Sequence, residues 1–559
     1  MKITRELRST IVLMLDSYKL SHRLMYPKNT VMVYSNATPR TGKRRGGRDL
    51  GYVIAAGAQR VTRKLKDEFD VFFNTPWETL EPFLLEQLKS FTGTDYDVSH
   101  LKELHDLGYI PMVIKALPEG TRCPYGVPYM TMYNTLPKFF WLTNYLETWL
   151  SSETWNIVTA TTTAHQFYNL FSKWAIHTTG NADMVSIQGH DFSLRGTVGV
   201  EAGSISGIGH LMAGFVGSDT VPAYLDAQYY YDSGVNDWDN FPKGIVSTSV
   251  PASEHSVQCS HYNPEAGEEL AYLDHMLDTF PTGVVSIVCD GFDFWSFITD
   301  VLPLRKDKIM ARDGKVVIRP DSGDPVDIIC GLEYIDKAID DTIEHLRENG
   351  VNAERNSLRG RVTPEYKGAI EVLWEIFGGT TNDLGYKELD SHIGLIYGDA
   401  ITLDRVEATC ARLEDKKFAS TNWVAGIGSF TYQMVTRDTD GQAFKATYIE
   451  LVDNFCAKED CEGGCVEKWS ENCKYGIVTG KEIFKDPKTG DGTKKSAKGL
   501  LAVYQSAVEG VPIYVHDQCT WEDESQGILT EVFRDGKLLN QTTIQEIRTR
   551  INETTNNGL

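Results

Sequence analysis

The sequence of 559 residues holds 55 Lys and Arg against 77 Asp and Glu, which gives a formal net charge of −22. A field of that sign opposes non-specific binding to nucleic acid or to an anionic membrane surface, so we expect neither as a partner. The apolar content of 41% allows a large core, while no apolar run is long enough to span a membrane and the N-terminus carries no secretory signal. Ten cysteines are too few for a disulfide scaffold, which predicts a reducing, cytoplasmic location.

The first third of the chain alternates between helical and extended patterns. Residues 55–107 and 139–174 have mostly helical spacing, whereas residues 111–132 have the pattern of strands punctuated by glycine and proline. Ahead of them, the run from Arg40 to Arg48 holds five basic residues in nine positions. Most such runs are solvated loops, but in an acidic protein this one is also a candidate for binding phosphate.

A repeating strand–helix rhythm begins near residue 184. Apolar runs alternate with helical patterns over residues 200–215, 265–279, 326–349 and 402–413. Seven repeats over about 245 residues favour a closed or nearly closed α/β barrel over an open doubly wound sheet. Each run closes on polar residues, and these ends are Gly189-His190-Asp191-Phe192, Gly217-Ser218-Asp219-Thr220, Ser253-Glu254-His255, Cys289-Asp290-Gly291, Arg319-Pro320-Asp321-Ser322-Gly323, Gly398-Asp399 and Gly426-Ile427-Gly428-Ser429.

The rhythm breaks after Arg437, and this break predicts the domain organisation. We expect an α/β barrel core over residues 181–437, and a discontinuous α+β domain in which residues 1–180 pair with residues 438–559. Within the latter, residues 453–480 are predicted to be a Cys-rich insertion. Its cysteines lack the paired C-x2-C spacing of common zinc sites, so reduced surface thiols are favoured over a metal site; they are Cys456, Cys461, Cys465 and Cys473.

The stretch from Ser249 to Ser256, which reads Ser-Val-Pro-Ala-Ser-Glu-His-Ser, is the most informative of the run ends. His255 is both a fair nucleophile and a proton carrier near neutral pH. We expect the neighbouring Glu254 to orient the ring and support positive charge on it. A lone histidine is more often a hydrogen-bonded loop residue, and it is the other polar strand ends that favour a catalytic role here.

The inventory of polar side chains indicates a ligand that is anionic, sugar-like and partly aromatic. Arginines suit phosphate or pyrophosphate, carboxylates suit ribose hydroxyls or water-bound Mg²⁺, and glycines allow a phosphate to approach the backbone. An aromatic ring offers a stacking face, and a further carboxylate can accept a hydrogen bond from an amide. The residues in these roles are Arg195, Arg319 and Arg437; Asp290, Asp321 and Asp399; Gly398, Gly426 and Gly428; Phe192; and Asp219.

Several motifs, taken in order and spacing, resemble the nicotinamide phosphoribosyltransferases of the type II phosphoribosyltransferase family. The resemblance covers nearly the whole chain, the Cys-rich insertion being the main exception. It begins at Asp16-Ser17-Tyr18-Lys19 and reaches Phe484-Lys485-Asp486-Pro487 and beyond. Its most specific pieces are His190-Asp191-Phe192 with Arg195-Gly196, Gly217-Ser218-Asp219-Thr220, the Ser249 to Ser256 stretch, Ile318-Arg319-Pro320-Asp321-Ser322-Gly323 and Gly398-Asp399.

The resemblance implies a barrel enzyme that makes nicotinamide mononucleotide and pyrophosphate from nicotinamide and phosphoribosyl pyrophosphate in NAD salvage. ATP would phosphorylate His255 and drive the reaction forward, with Mg²⁺ held, mostly through water, by Asp290 and Asp321. The resemblance also implies a homodimer with shared active sites and small molecules as the other partners. The groups implied in catalysis are His255, Asp321, Arg319 and Asp290.

The resemblance implies substrate contacts residue by residue. Arg195, His255 and Arg319 would face the pyrophosphate, and Phe192 would stack on the pyridine with Tyr18 of the second subunit on its other face. Asp219 would accept from the carboxamide. The remaining substrate positions are Asp16, Ser286 and Pro320; Asp321, Gly398, Asp399, Gly428, Ser429 and Arg437 around the ribose and its 5′-phosphate; and the basic residues Arg40, Lys445, Lys485 and Lys494, some of them across the dimer.

One departure and two alternatives stay open. In the Gly-rich phosphate turn, Ser429 replaces a family glycine, and its side chain is expected to narrow the turn. The first alternative is the same chemistry on nicotinate, which Asp219 disfavours because two carboxylates would face each other. The second is a catalytically weak relative kept as a ligand-binding protein, which the intact His255, Arg319 and Asp321 argue against.

Overall fold

The computed structural model describes residues 3–42, 49–262, 269–332, 343–351, 363–452, 478–489, 495–508 and 512–556. The four clustered cysteines, Lys494, and residues 43–48 of the early basic run lie outside these ranges. Nothing in the structure therefore tests the predicted insertion.

The strands, in chain order, are β1 (Thr30–Thr38), β2 (Tyr52–Ile54), β3 (Met112–Ala116), β4 (Arg122–Pro124), β5 (Met130–Asn134), β6 (Gly189–Asp191), β7 (Gly217–Ser218), β8 (Val285–Val288), β9 (Val316–Arg319), β10 (Gly379–Thr381), β11 (Lys387–Leu389), β12 (Ile393–Tyr397), β13 (Trp423–Ile427), β14 (Ala443–Val452), β15 (Val478–Glu482), β16 (Leu500–Gln505), β17 (Ile513–Cys519), β18 (Thr530–Arg534) and β19 (Lys537–Leu538).

The α-helices are α1 (Arg5–Arg8), α2 (Lys19–Met25), α3 (Ala58–Asn74), α4 (Trp77–Thr92), α5 (Ser99–Leu107), α6 (Phe140–Thr179), α7 (Val185–Gln188), α8 (Val200–Met212), α9 (Val221–Tyr231), α10 (His255–Ser260), α11 (Leu270–Thr279), α12 (Phe294–Ser296), α13 (Lys306–Met310), α14 (Pro325–Cys330), α15 (Pro364–Lys367), α16 (Ala369–Phe377), α17 (Leu403–Asp415), α18 (Ser429–Tyr432), α19 (Trp521–Gln526) and α20 (Ile544–Asn556). In the part of the chain that the structure describes, none of them is long and apolar enough to cross a membrane.

A curled parallel sheet in the order β7-β6-β13-β12-β9-β8 forms the centre of the molecule. Residues 248–252 join its two edges, because Thr248 bridges to Gly217 and Ala252 bridges to Ser286, both in parallel register. The ring therefore has seven members, one for each predicted polar run end. Its strands are short, and β8, β9, β12 and β13 are mostly apolar, as expected where helices cover the outside and side chains fill the inside, whereas β6 and β7 consist of small and polar residues. The predicted barrel-like α/β domain is confirmed.

A second sheet is antiparallel, with the order β15-β14-β1-β5-β3-β18-β19. Its strands come from both ends of the chain: β1 pairs with β14 from Thr30↔Leu451 to Thr38↔Ala443, and β3 pairs with β18. The N-terminal and C-terminal parts thus share one sheet. The exact domain boundaries given above remain a prediction.

Helix α6 connects the two sheets and ends at Gly180, whose φ of +80° no residue with a Cβ adopts easily. Trp141, Tyr145 and Trp149 from its first half lie in the core of the antiparallel domain. Phe167 and Phe171 from its second half lie in the core of the barrel. One continuous helix therefore fixes the position of each domain relative to the other.

The predicted helix over residues 326–349 is wrong in its length. Asp324 caps α14 by accepting hydrogen bonds from the Val326 and Asp327 N–H groups, but the helix stops at Cys330. Gly331 follows with a φ of +87°, and a Cβ there would overlap the backbone of Tyr366. The sequence shows an uninterrupted helical period, and the close approach of a distant segment ends it.

Candidate active site

The carboxyl ends of the barrel strands bring the predicted barrel residues to one rim. Phe192 follows β6, Asp219 follows β7, and His255 follows the bridging residues 248–252. Asp290 follows β8 and Asp321 follows β9. Gly398-Asp399 and Gly428-Ser429 follow β12 and β13, and Arg195 lies in the short 3-10 helix Leu194–Gly196 behind β6. This is the edge at which α/β barrels build their active sites.

His255 is the first residue of α10 and pairs with Asp290. Its Nε2 lies 2.9 Å from Asp290 Oδ1, and the imidazole is 47% exposed whereas the carboxylate is only 3% exposed. The buried carboxylate thus holds one edge of the ring, and the exposed part of the ring is accessible to a ligand. The expectation that Glu254 orients the ring is wrong, because the ring pairs with Asp290 and Glu254 instead accepts from Ser256 Oγ.

Asp290 is held by more than the imidazole. Its Oδ2 accepts from the Asp321 N–H at 2.8 Å. Burial works to raise the pKa of Asp290, but hydrogen bonds from Ser322, His255 and the Asp321 N–H outweigh it and lower that pKa. The carboxylate therefore stays ionised and keeps a fixed orientation toward His255.

Arg319 and Asp321 extend this cluster along β9. Arg319 donates from Nη2 to the Ser253 carbonyl at 2.7 Å, and its Nε lies 3.5 Å from Asp321 Oδ1. Burial raises the pKa of Asp321, with Arg319 opposing the rise and Asp290 adding to it. Arg195 is exposed on the rim, and its positive charge also works to lower the pKa of Asp321. The rim therefore alternates cation and carboxylate.

Asp219 is anchored through one oxygen only. His190 Nε2 at 2.9 Å and Ser249 Oγ at 2.5 Å both contact Asp219 Oδ1. Burial works to raise the pKa of Asp219, but these two hydrogen bonds and the charges of His190 and Arg319 lower it. Within the described residues, Oδ2 has no hydrogen-bond partner, so an ionised acceptor is left for a ligand.

The Phe192 ring lies beside His190, which anchors Asp219, and against Gly398 and Gly426. Its ring centroid lies 4.8 Å from that of His190. A Cβ at Gly426 would come within 2.5 Å of the Phe192 ring and one at Gly398 within 3.2 Å. The ring therefore requires the glycine within β13 and packs tightly against the one after β12, and both leave the backbone accessible.

Ser429 fits the phosphate turn because a glycine lies opposite. A Cβ at Gly196 would overlap the Ser429 side chain, whereas a Cβ at the neighbouring Gly428 would meet open space. The serine thus packs against the loop that carries Arg195. The predicted narrowing is directed toward that loop and leaves the space at Gly428 open.

Two further predicted residues are buried. Pro320 directly follows β9. Ser286 in β8 is 5% exposed, and its hydroxyl is buried without a hydrogen-bond partner among the described residues. An orphaned hydroxyl at such depth is rare without a ligand or water to satisfy it. The Ser286 hydroxyl is therefore available to a ligand or to water.

A group of four basic residues, which we name the basic cluster, lies on the antiparallel domain: Arg40, Arg437, Lys445 and Lys485. Arg40 donates from Nε to the Gly441 carbonyl at 2.9 Å. Burial and then the charge of Arg437 lower the pKa of Arg40. The Lys445 side chain is exposed at the surface. Its pKa is nevertheless lowered, first by partial loss of hydration and then by the positive charges of the other three cluster members, while the charge of Glu147 works to raise it. Arg437 also pairs with Asp438 at 3.3 Å, so the cluster is partly neutralised and keeps a surplus of positive charge that suits an anion.

Tyr18 and Asp16 lie on the border of the basic cluster. Asp16 accepts from Thr148 Oγ1 at 3.0 Å, and Tyr18 is 57% exposed. The negative charge of Glu147 works to raise the pKa of Lys445 and also that of Tyr18. Within the described ranges, no hydrogen bond or ion pair joins the basic cluster, Tyr18 or Asp16 to the barrel rim. The structure therefore gathers the predicted residues into two groups.

The sequence did not assign roles to several residues that shape the rim. His190 and Ser249 hold Asp219, and Ser253 and Ser322 hold Arg319 and Asp290. In the sequence, the only indication of these roles is that the four residues belong to the polar run ends. Their partners lie 29 to 66 positions away in the chain. Among the described residues, no cluster of three or more His, Cys, Asp or Glu side chains is arranged to hold a metal ion.

Comparison with known proteins identifies the family. The sequence profile of the nicotinate phosphoribosyltransferase (NAPRTase) family matches residues 187–517. A protein of Acinetobacter baylyi named nicotinamide phosphoribosyltransferase is 39% identical over 548 residues, which are 96% of each chain. One of the same name from Mycoplasma pneumoniae is 31% identical over 78% of this chain and 88% of its own.

Solved structures agree at the level of the fold. Human nicotinic acid phosphoribosyltransferase superposes with a TM-score of 0.52 at 14% identity, over 98% of this chain and 94% of its own. Nicotinate-nucleotide pyrophosphorylase from Pyrococcus furiosus gives a TM-score of 0.51 at 12% identity, over 100% and 98%. The profile covers more than half of the sequence, and the chain belongs to the nicotinate phosphoribosyltransferase (NAPRTase) family.

Proposed function

We propose that this enzyme joins nicotinamide to phosphoribosyl pyrophosphate, giving nicotinamide mononucleotide and pyrophosphate for NAD salvage. The observation that carries the choice of base is Asp219, an ionised carboxylate with one oxygen anchored and the other open, beside the ring of Phe192. Such a group accepts a hydrogen bond from a carboxamide NH₂ and repels a carboxylate. Relatives named nicotinamide phosphoribosyltransferase support the same choice.

The residues would divide the reaction between holding and charge stabilisation. Phe192 and Asp219 would hold the pyridine ring so that its unprotonated nitrogen faces the anomeric carbon, which needs no strong base. Positive charge develops on the ribose as the bond to pyrophosphate lengthens, and Asp321 and Asp399 on the rim would stay near the ribose hydroxyls. Arg195 and Arg319 would stabilise the departing pyrophosphate. Ser286 would face the inner end of the base pocket.

Mg²⁺ fits the site as a partner of the substrate. Both oxygens of Asp290 already have partners, so this residue would reach a cation through water, with Asp321 beside it. Mg²⁺ commonly keeps several waters and binds through one or two carboxylates together with substrate phosphates. When bound, it would supply charge neutralisation for the pyrophosphate.

ATP would act on the same rim by phosphorylating His255. The exposed ring nitrogen that does not face Asp290 would attack the γ-phosphorus, ADP would leave, and the ionised Asp290 would stabilise the charged ring. Hydrolysis of this phosphohistidine during turnover would drive synthesis forward. The pairing of an exposed imidazole with a buried carboxylate supports the proposal.

The complete site would form between two subunits. The barrel rim lacks a large surplus of positive charge, and the basic cluster lacks a catalytic carboxylate and imidazole. A homodimer that places Tyr18, Arg40 and Lys445 of one subunit at the rim of the other would supply both sets to phosphoribosyl pyrophosphate. The thiols support a reducing cytoplasm: Cys123, Cys259, Cys289, Cys330, Cys410 and Cys519, the cysteines of the described residues, are all free.

The test is a direct assay of the purified enzyme with both bases. We expect nicotinamide to give nicotinamide mononucleotide with a kcat/KM far above that for nicotinate, and ATP to increase turnover. A preference for nicotinate would overturn the assignment of the base. If neither base gives its mononucleotide, a ligand-binding relative would be favoured.

A further inference from the structure

We infer that Gln258 is a positioning residue that fixes His255 against Asp290, which rests on the role proposed for His255. Gln258 lies one turn after His255 in α10 and is 1% exposed. Its Oε1 accepts from the Gly291 N–H at 3.0 Å, directly after Asp290 in the chain. One side chain therefore joins the helix that begins at the imidazole to the loop that carries its carboxylate.

The orientation of the Gln258 amide is set by Glu269. The Glu269 Oε1 accepts from Gln258 Nε2 at 2.8 Å, which leaves Oε1 of the amide to face the Gly291 N–H. Burial raises the pKa of Glu269, and the Gln258 hydrogen bond opposes the rise. A satisfied buried network of this kind rigidifies its surroundings, whereas a half-satisfied one is costly. Glu269, Gln258 and Gly291 thus form one clamp.

The space at Gly291 is matched to this clamp. A Cβ at Gly291 would lie 2.5 Å from Gln258 Oε1. The glycine therefore allows the loop to approach the amide closely enough for the hydrogen bond. A larger residue would push Asp290 and α10 apart.

The clamp matters more for His255 than for Asp290. Asp290 has independent anchors in the Asp321 N–H and Ser322. In the described residues, the His255 ring has Asp290 as its hydrogen-bond partner and otherwise depends on the placement of α10. Loosening α10 should therefore displace the imidazole and leave the carboxylate in place.

The test compares wild type with Gln258→Met, which keeps the side-chain length and removes both hydrogen bonds. We expect ATP hydrolysis to fall about tenfold, because small displacements of a reacting group carry large rate costs. Nicotinamide mononucleotide synthesis without ATP should stay within about twofold, since the groups that bind the base and pyrophosphate remain anchored. The control for folding is an unchanged circular dichroism spectrum, while the thermal midpoint should fall because the Glu269 carboxylate and the Gly291 N–H lose their partner.

A polarity swap gives the matched rescue. Gln258→Glu alone places two carboxylates at the 2.8 Å contact with Glu269 and should impair ATP hydrolysis. The double variant Gln258→Glu/Glu269→Gln lets an amide donate to a carboxylate again and keeps an acceptor for the Gly291 N–H. We expect it to recover ATP hydrolysis to within about threefold of wild type. A double variant no better than Gln258→Glu would overturn the inference.

A readout that does not need ATP separates this inference from the proposed function. Carbethoxylation of His255 by diethyl pyrocarbonate, followed by mass spectrometry of the peptide, should be at least about threefold faster in Gln258→Met as its pairing loosens. Equal rates in a folded variant would refute the clamp. Absence of phosphate on wild-type His255 would refute only the role of ATP, because the modification rates would still report the clamp.

Discussion

The barrel rim and the basic cluster handle charge in opposite ways. On the rim, each carboxylate has an imidazole or guanidinium partner: Asp290 has His255, Asp321 has Arg319, and Asp219 has His190. In the basic cluster, Arg40 and Lys445 have lowered pKa values because they are partly desolvated beside other cations. Paired groups can direct chemistry at a defined atom, whereas a surplus of cations is suited to hold a polyanion.

On the proposal of a shared site, neither region alone would bind phosphoribosyl pyrophosphate completely. The ribose hydroxyls of this substrate suit carboxylates, and its phosphates suit several cations. In a chain with a net charge of −22, local concentration of cations is the way to attract such an anion. The predictions below separate the contributions of the two regions.

The largest effect is expected from the rim. His255→Ala should abolish ATP hydrolysis and the gain in turnover that ATP produces, because the nucleophile for the γ-phosphoryl group is removed. Some synthesis without ATP should survive, since Arg319 still serves the leaving group. The measurement is ADP release together with acid-labile phosphate on the protein. The matched control is His261→Ala, which should keep ATP hydrolysis. His261 directly follows α10, and its imidazole bonds to the Val257 carbonyl within that helix. Phosphate on another wild-type residue would contradict the assignment.

The next effect concerns the base. Asp219→Ser keeps a small polar group and removes the charge. A hydrogen bond to a charged group contributes roughly 1.5–3 kcal/mol, so nicotinamide use should weaken about ten- to a hundredfold. Nicotinate use should improve because the repulsion is lost. The measurement is kcat/KM for both bases, and an unchanged ratio between them would make Asp219 a purely structural residue.

A smaller effect is expected from the basic cluster. Lys445→Ala should raise the KM for phosphoribosyl pyrophosphate about tenfold and leave kcat nearly unchanged, because it removes one charge-assisted contact. Lys481→Ala, on the exposed strand β15, is the control and should have little effect.

Lys445 also predicts a pH dependence. Its pKa lies below the ordinary 10.5, so it loses its charge at a lower pH than a free lysine. The KM should therefore rise with pH on the alkaline side before 10.5 is reached. Lys445→Arg should flatten this rise because arginine keeps its proton. An identical pH profile in both proteins would show that Lys445 does not contact the substrate.

Much of the fold was predictable because local patterns determine it. The seven polar run ends mark the ends of six strands and of the bridging residues 248–252, since a buried parallel strand is a short run that must stop at solvent. Closure of the ring through residues 248–252 was less visible, because single bridges leave no periodic signal. The end of α14 at Cys330 was missed because its cause, the approach of Tyr366, is a tertiary contact.

The candidate site was predictable as residue types and much less as partnerships. Sequence proximity suggested Glu254 as the partner of His255, but Glu254 bonds to Ser256 and the ring pairs with Asp290, which follows another strand, β8. Likewise, nothing local links Gln258 to Glu269 and Gly291. Partners across a barrel rim depend on sheet order, which the sequence does not contain in a readable form.

Subunit complementation tests most directly whether the rim and the basic cluster complete each other across a dimer. One chain would carry Arg319→Ala/Asp321→Ala, the other Arg437→Glu/Lys445→Glu, and each alone should be nearly inactive. After subunit exchange of equal amounts, half of the dimers should be mixed and have one intact site of two, so about a quarter of wild-type activity is predicted. Proven exchange without restored activity would contradict the shared site.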